Sequence, residues 1–263
     1  MLNYKFINNG KPVLVLVHGL LSSLETFLPL VPELEKHFSV LLVDQRGHGA
    51  SKPSGTDYTA EAMAHNLKGL LDSLSIKKII LLGHSMGGRT ALMFGKLYPQ
   101  MIEKMIIEDM GIHQRQVRTP ERDLEKNEIA KKSAVPSLLF ETKEEIFKII
   151  SPLYSYANDL MKTKVVERDG KFELKFWPDV SVMYGYQGNY TDLTSALTET
   201  HFPVLFINAD PAVGSALTET CIAHIKMHVP RAILHEIPKS WHNIHKTHPK
   251  EFCEVILKFA SEV

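Results

Sequence analysis

Six short apolar runs punctuate the chain: VLVLVHG at 13–19, SVLLVD at 39–44, KIILLGHS at 78–85, IEKMIIED at 102–109, PVLFINAD at 203–210 and AILHEIP at 232–238. Each is near-continuously apolar rather than alternating, the pattern of a strand covered on both faces. Between the runs the spacing becomes that of amphipathic helices. In AEAMAHNLKGLLDSL, 60–74, the residues Ala60, Met63, Ala64, Leu67, Leu70, Leu71 and Leu74 share one stripe. MGGRTALMFGKLY at 86–98, TETCIAHIKMHV at 218–229 and PKEFCEVILKFASEV at 249–263 continue the set. This alternation predicts an α/β fold: a mostly parallel central sheet with right-handed crossovers, flanked by helices.

The alternation stops between about 111 and 200. That segment opens with charged helical stretches, PERDLEKNEIAKKS at 120–133 and TKEEIFKII at 142–150, whose charges read as solvated faces. An aromatic-rich piece follows, with Phe172, Phe176, Trp177, Tyr184, Tyr186 and Tyr190. It is too long for a plain loop and too apolar for disorder. The expected organisation is a core of 1–110 and 200–263 interrupted by a mainly helical cap, 111–199. The hexapeptide SALTET occurs at 195–200 and 215–220, but its flanks differ, so it marks no repeat.

Composition narrows the partners. Thirty basic residues balance thirty acidic ones, so net charge gives no pull toward nucleic acid or an anionic membrane. Cys221 and Cys253 are far apart and sit in helical patterns, which points to buried thiols in a reducing compartment. The N-terminus MLNYKFINNG lacks a leader pattern, and no apolar run approaches the roughly 20 residues of a membrane span. The expectation is a cytoplasmic protein with a small-molecule substrate. The oligomeric state is not legible.

The chemistry concentrates at strand ends. GHSMGG at 83–88 matches G-x-S-x-G between an apolar run and a helix. A tight strand-to-helix turn would hold Ser85 clear of the backbone, with Gly83 and Gly87 relieving the crowding. Acyl transfer needs two donors for the oxyanion. The N–H groups of Met86, after the serine, and of Leu20, after the His18-Gly19 strand end, are the candidates. His18 reads as loop-shaping rather than a base, and His18 and Gly19 are candidates to border the substrate. DQRGHGASKP, 44–53, reads as a structural loop beside the site, with Asp44 closing a strand.

Serine also needs a base. SWHNIHKTHPKEF, 240–252, holds His242, His245 and His248 between the last strand and the last helix. Three-residue spacing drifts around a helix, and no Cys or carboxylate cluster accompanies these histidines, so a metal is not expected. Nor is a cofactor. His242 lies nearest the strand end and is the preferred base.

With VHGLLSS, DQRGHGASKP, GHSMGG, IIED and WHNIHKTHPKEF in place, the chain resembles the α/β-hydrolase superfamily throughout its length. It is most similar to the small bacterial acyl esterases of the YbfF type. The resemblance implies a serine esterase with an acyl-enzyme intermediate. It matches His242, Pro249 and Phe252 to the base motif and places His245 where many relatives carry a second, non-catalytic histidine. In most of the superfamily the acid follows the next-to-last strand, which here offers Asp210, though two residues early. The YbfF type takes it from the strand after the nucleophile helix, which offers Asp109. Asp109 is preferred and Asp210 is the alternative. Because strand neighbours point to opposite faces, Glu108 and Asp109 cannot both face the imidazole. Trp177, Tyr184 and Phe176 of the cap are candidates to line an acyl pocket. The same scaffold also cleaves thioesters, lactones and carbon–carbon bonds, and a ligand-binding protein is the rival from another class.

Overall fold

The computed structural model describes residues 1–229 and 231–261. Ten strands run in chain order: β1 (Tyr4–Ile7), β2 (Val13–Val17), β3 (Ser39–Val43), β4 (Ile79–His84), β5 (Ile102–Glu108), β6 (Leu139–Phe140), β7 (Val165–Arg168), β8 (Lys171–Leu174), β9 (Val204–Ala209) and β10 (Ala232–Ile237). Seven of them form the main sheet in the order β1-β3-β2-β4-β5-β9-β10. All pairings in it are parallel except β1 with β3. The six apolar runs supply every parallel strand. Strand β1 was not anticipated, because YKFI is short, carries a lysine and lies on an edge where it is never fully buried.

The sheet is covered on both sides, which explains its continuous apolar runs. Val15, Leu41, Leu81, Ile107 and Phe206 pack with Leu67 and Leu71 of the helix Ala60–Ser73 and Phe94 of the helix Met86–Leu97. Their strand neighbours Leu16, Leu42, Leu82, Ile106 and Leu205 pack on the other face with Phe252, Ile256 and Phe259 of the helix Pro249–Ser261. Each strand thus feeds two cores, one residue at a time. Burial of that apolar surface, at about 25 cal/mol per Å² removed from water, is the main driving force. No helix among the described residues is long and apolar enough to cross a membrane.

The segment between β5 and β9 carries the helices Pro120–Ser133, Lys143–Ile150, Ala157–Lys164, Pro178–Gln187 and Thr194–Thr198. Thr119 caps the first, and Thr142 with Glu145 forms a capping box on the second. It also holds a small antiparallel sheet, β6-β8-β7, beyond the expected helices. Asp169 and Gly170, both at positive φ, turn β7 into β8, a pairing favoured in two-residue hairpins. The insertion has its own apolar cluster, in which Ile146, Ile150, Leu160, Leu174 and Phe176 enclose Leu21 of the core.

Arg89 fastens the insertion to the sheet. Its fully buried guanidinium donates to the carbonyls of Gly188 (2.8 Å), His113 (3.1 Å), Gly111 (3.3 Å) and Thr191. Burial lowers its pKa to about 10, so it remains a cation at neutral pH.

Candidate active site

Ser85 follows the end of β4 in a strained conformation, φ 53° and ψ −122°, and starts the helix Met86–Leu97. The turn closes only because two neighbours lack a side chain. A Cβ on Gly83 would sit 2.3 Å from the Gly87 carbonyl oxygen, and one on Gly87 would sit 2.3 Å from that of Val17. Steric necessity thus accounts for both glycines of the motif.

Asp109 lies one residue past β5, also at positive φ (44°). His242 sits in the loop after β10. The structure brings the three together: His242 Nε2 is 2.9 Å from Ser85 Oγ, and His242 Nδ1 donates to Asp109 Oδ2 at 2.6 Å. The Asp109 carboxylate also accepts from Ser215 Oγ (2.6 Å) and from the N–H groups of Ala216 (2.8 Å) and Ala209 (3.3 Å). Burial opposes its charge, but His242, Ser215 and Ala216 together hold its pKa below the usual carboxylate value. Asp210 lies elsewhere and accepts from Lys239 N and Ala212 N, each at 2.8 Å, as a turn-capping acid.

Leu20 is half-buried beside Gly19, and Met86 is the first residue of the helix after Ser85. Neither backbone N–H has an acceptor within the chain among the described residues. Helix N-termini leave such donors free and direct positive potential outward.

Of the residues expected to border substrate, His18, Tyr184 and Phe176 are buried, Gly19 lies against Ser85 and Trp177 is partly buried. His18 is buried: its Nδ1–H donates to Gly19 O (2.7 Å) and its Nε2 accepts from Gln45 N (3.0 Å). Burial lowers its pKa to about 4, so it stays neutral and shapes the loop. Gly19 presents its Cα to His84 and Ser85, where a Cβ would approach within 2.8 and 3.0 Å. Tyr184 is buried, with its hydroxyl donating to Gln45 Oε1 at 2.8 Å, and Phe176 is fully buried among apolar residues of the insertion. Trp177 is partly buried against the core. A cavity of about 690 Å³ instead lies between Leu20 and the insertion, with Leu153, Tyr154, Ser181, Val182 and Tyr186 in its wall. Aromatic side chains in a helix of mixed character give no facing from sequence alone, so packing chose which ones face inward.

One cluster was not foreseen. Glu108 is fully buried and pairs with His245, also buried. His84 completes a group whose ligating atoms lie within 4.8 Å of one another. Their donors are already engaged. Both nitrogens of His245 are hydrogen-bonded, to Glu108 and to Thr26, and His84 Nε2–H donates to the His242 carbonyl at 3.0 Å. The ring atoms left over do not make a ligand set.

The alpha/beta hydrolase fold family matches residues 12–249 of the sequence. The chain belongs to that family. As an α/β hydrolase it is 26% identical to the mouse sn-1-specific diacylglycerol lipase ABHD11 over 94% of this chain and 80% of that one. It is 36% identical to a Haemophilus influenzae protein designated esterase/lipase, over 42% of this chain and 40% of that protein's length. A marine microorganism esterase of known structure superposes with a TM-score of 0.73 at 28% identity, covering 98% of both chains. The α/β-hydrolase chain thus has esterase- and lipase-like relatives, and it spans 40% of the length of the Haemophilus influenzae one.

Proposed function

We propose that the chain is a serine hydrolase of small acyl esters that works through an acyl-enzyme intermediate. One observation carries the reading: the unbroken hydrogen-bonded series from Ser85 through His242 to Asp109, with the free N–H groups of Leu20 and Met86 beside it. His242 Nε2 takes the proton as Ser85 Oγ attacks the acyl carbon. Leu20 and Met86 N–H stabilise the oxyanion, and Asp109 holds the imidazole in its Nδ1–H tautomer and stabilises the cation that forms. His242 then gives the proton to the departing alkoxide as the acyl–oxygen bond breaks. A water then attacks the acyl carbon as His242 takes its proton, the bond to Ser85 Oγ breaks, and His242 returns the proton to Oγ as the acid leaves.

The cavity supports a short to medium acyl chain, because Leu20 borders both the oxyanion position and the apolar wall of Leu153, Tyr154 and Val182. Neither a metal nor a cofactor takes part. A panel of p-nitrophenyl esters, run with wild type and Ser85→Ala, tests the reading. Wild type is expected to hydrolyse the shorter esters and to be labelled by a fluorophosphonate at Ser85. Full activity in Ser85→Ala would sink the mechanism. Inertness of wild type to every ester and to the probe would favour a ligand-binding protein, and turnover of thioesters or lactones alone would move the substrate class.

A further inference from the structure

His242 reaches its partners from a loop, and its side chain remains 34% exposed. Something must hold that loop in register with two strands. Two buried groups, Glu108 and His84, do so. Glu108 accepts the His245 backbone N–H at 3.0 Å and its Nδ1–H at 2.8 and 2.9 Å, which fixes the chain three residues beyond the base. His84 donates Nε2–H to the carbonyl of His242 itself at 3.0 Å. The ring of His84 lies between those of His242 and His245, with centroids 4.8 and 4.9 Å away. Resting on the serine-hydrolase reading above, we propose that Glu108, acting through His245, and His84 are positioning residues that clamp the loop of His242.

Chain position gives the clamp its logic. His84 precedes Ser85, and Glu108 precedes Asp109. Adjacent strand residues face opposite ways, so each strand end delivers a reacting group to one side and an anchor to the other. Glu108 falls on the face of Ile106, where Ile244 and Phe252 also pack. The imidazole is thereby held by the same two strands that carry its partners. Burial lowers the pKa of His84 to about 3, so the ring is neutral, and its single proton must sit on Nε2 because a carbonyl only accepts. Burial also works against the charge of Glu108, but the backbone and side-chain N–H groups of His245 offset it and hold its pKa below the usual carboxylate value.

The test uses the full chain and three variants: Glu108→Ala, Glu108→Gln and the double variant Glu108→Leu/His245→Leu. Removing both members of the buried Glu108–His245 pair avoids leaving an orphaned polar group, so the double variant is the one expected to fold. Fluorophosphonate titration counts competent sites, and kcat and KM for p-nitrophenyl acetate are expressed per site. A loosened base costs kcat rather than KM, so kcat and the labelling rate are expected to fall about 10- to 100-fold in Glu108→Ala and in the double variant, with KM changed about twofold or less. Glu108→Gln keeps an oxygen for the His245 N–H and is expected to recover most of the loss. A folded double variant with wild-type kcat per site would overturn the clamp, as would losses that vanish on normalisation to competent sites. A wild type that never labels at Ser85 would remove the serine-hydrolase reading and the clamp with it. A labelled wild type beside a fully active Glu108→Ala would remove the clamp alone.

Discussion

Ser85–His242–Asp109 and Thr26–His245–Glu108 contain the same three chemical groups in the same order. The hydroxyl–imidazole distances are 2.9 and 2.7 Å, and the imidazole–carboxylate distances are 2.6 and 2.8 Å. Their surroundings differ. Ser85 stands on a strained turn at a helix start, where N–H groups are free. Thr26 sits inside a 3-10 helix, Leu24–Leu30, with its own N–H already donated to Ser23 O at 3.1 Å. His242 is partly exposed, whereas the His245 ring is buried against Phe27 and Phe252 and Thr26 is half-buried. A proton-passing series is therefore not sufficient for a reactive site. Unspent donors for the oxygen of a substrate carbonyl separate the Ser85 series from the drier one around the His245 ring.

The largest expected effect sharpens that contrast at the carboxylates. Asp109→Asn is expected to lower kcat by about 10⁴, the cost of a wrong imidazole tautomer in a serine protease. Asp210→Asn should stay within about threefold of wild type, since a turn-capping acid touches no reacting atom. Steady-state ester hydrolysis measures both, and a steep fall in Asp210→Asn alone would reassign the acid.

Acid pH tests the dry layer next. Burial lowers the pKa of His18 to about 4 and those of His48 and His84 to about 3, so all three stay neutral in the fold. An unfolded histidine binds its proton near pH 6.5, so unfolding takes up protons and stability falls as pH drops from about 6.5 toward 4. Each histidine contributes a slope of up to about 1.4 kcal/mol per pH unit. Asp109 and Glu108 have lowered pKa values, so their stabilisation is present above the unfolded value near 4 and is lost only below it. Urea midpoints across pH 7 to 3 separate the two windows. A midpoint that holds steady down to pH 4 would show that the histidines are not buried neutral.

The smallest effect concerns the hydroxyls. Thr26→Val keeps shape and removes one hydrogen bond, so a loss of about 1 kcal/mol in stability is expected, with unchanged ester turnover. The fluorophosphonate should label Ser85 alone, as read by peptide mass. Labelling at Thr26 would break the comparison outright.

Much of this was legible in the sequence for definite reasons. Runs such as VLVLV and VLFINA are apolar at every position because both faces of the strand are buried, and that pattern marked the parallel sheet. GHSMGG was legible because the turn leaves no room at Gly83 and Gly87 for any side chain. The dry pair was harder. Nothing local marks Glu108 as buried, and only the fold shows that its face is covered by the helix Pro249–Ser261 and the loop before it. Facings in the insertion depend on long-range packing, so the burial of Tyr184 and Phe176 is not legible in the sequence. The hairpin at Asp169-Gly170 carries a local signal of its own, an Asp-Gly pair suited to a two-residue turn at positive φ. The two copies of SALTET make the general point: one forms a short helix from Thr194, while in the other Ser215 reaches Asp109 from a loop.

Arg89 restricts how such a protein can be rebuilt. Its cation is satisfied by backbone carbonyls from four residues on the path into and out of the insertion, and by no carboxylate among those contacts. Side chains in the insertion are therefore free to change without disturbing this joint, but the chain path at Gly111, His113, Gly188 and Thr191 is not. A foreign insertion grafted onto this sheet to alter selectivity would have to reproduce that path, whatever its sequence. Otherwise the graft must come with an apolar residue in place of Arg89.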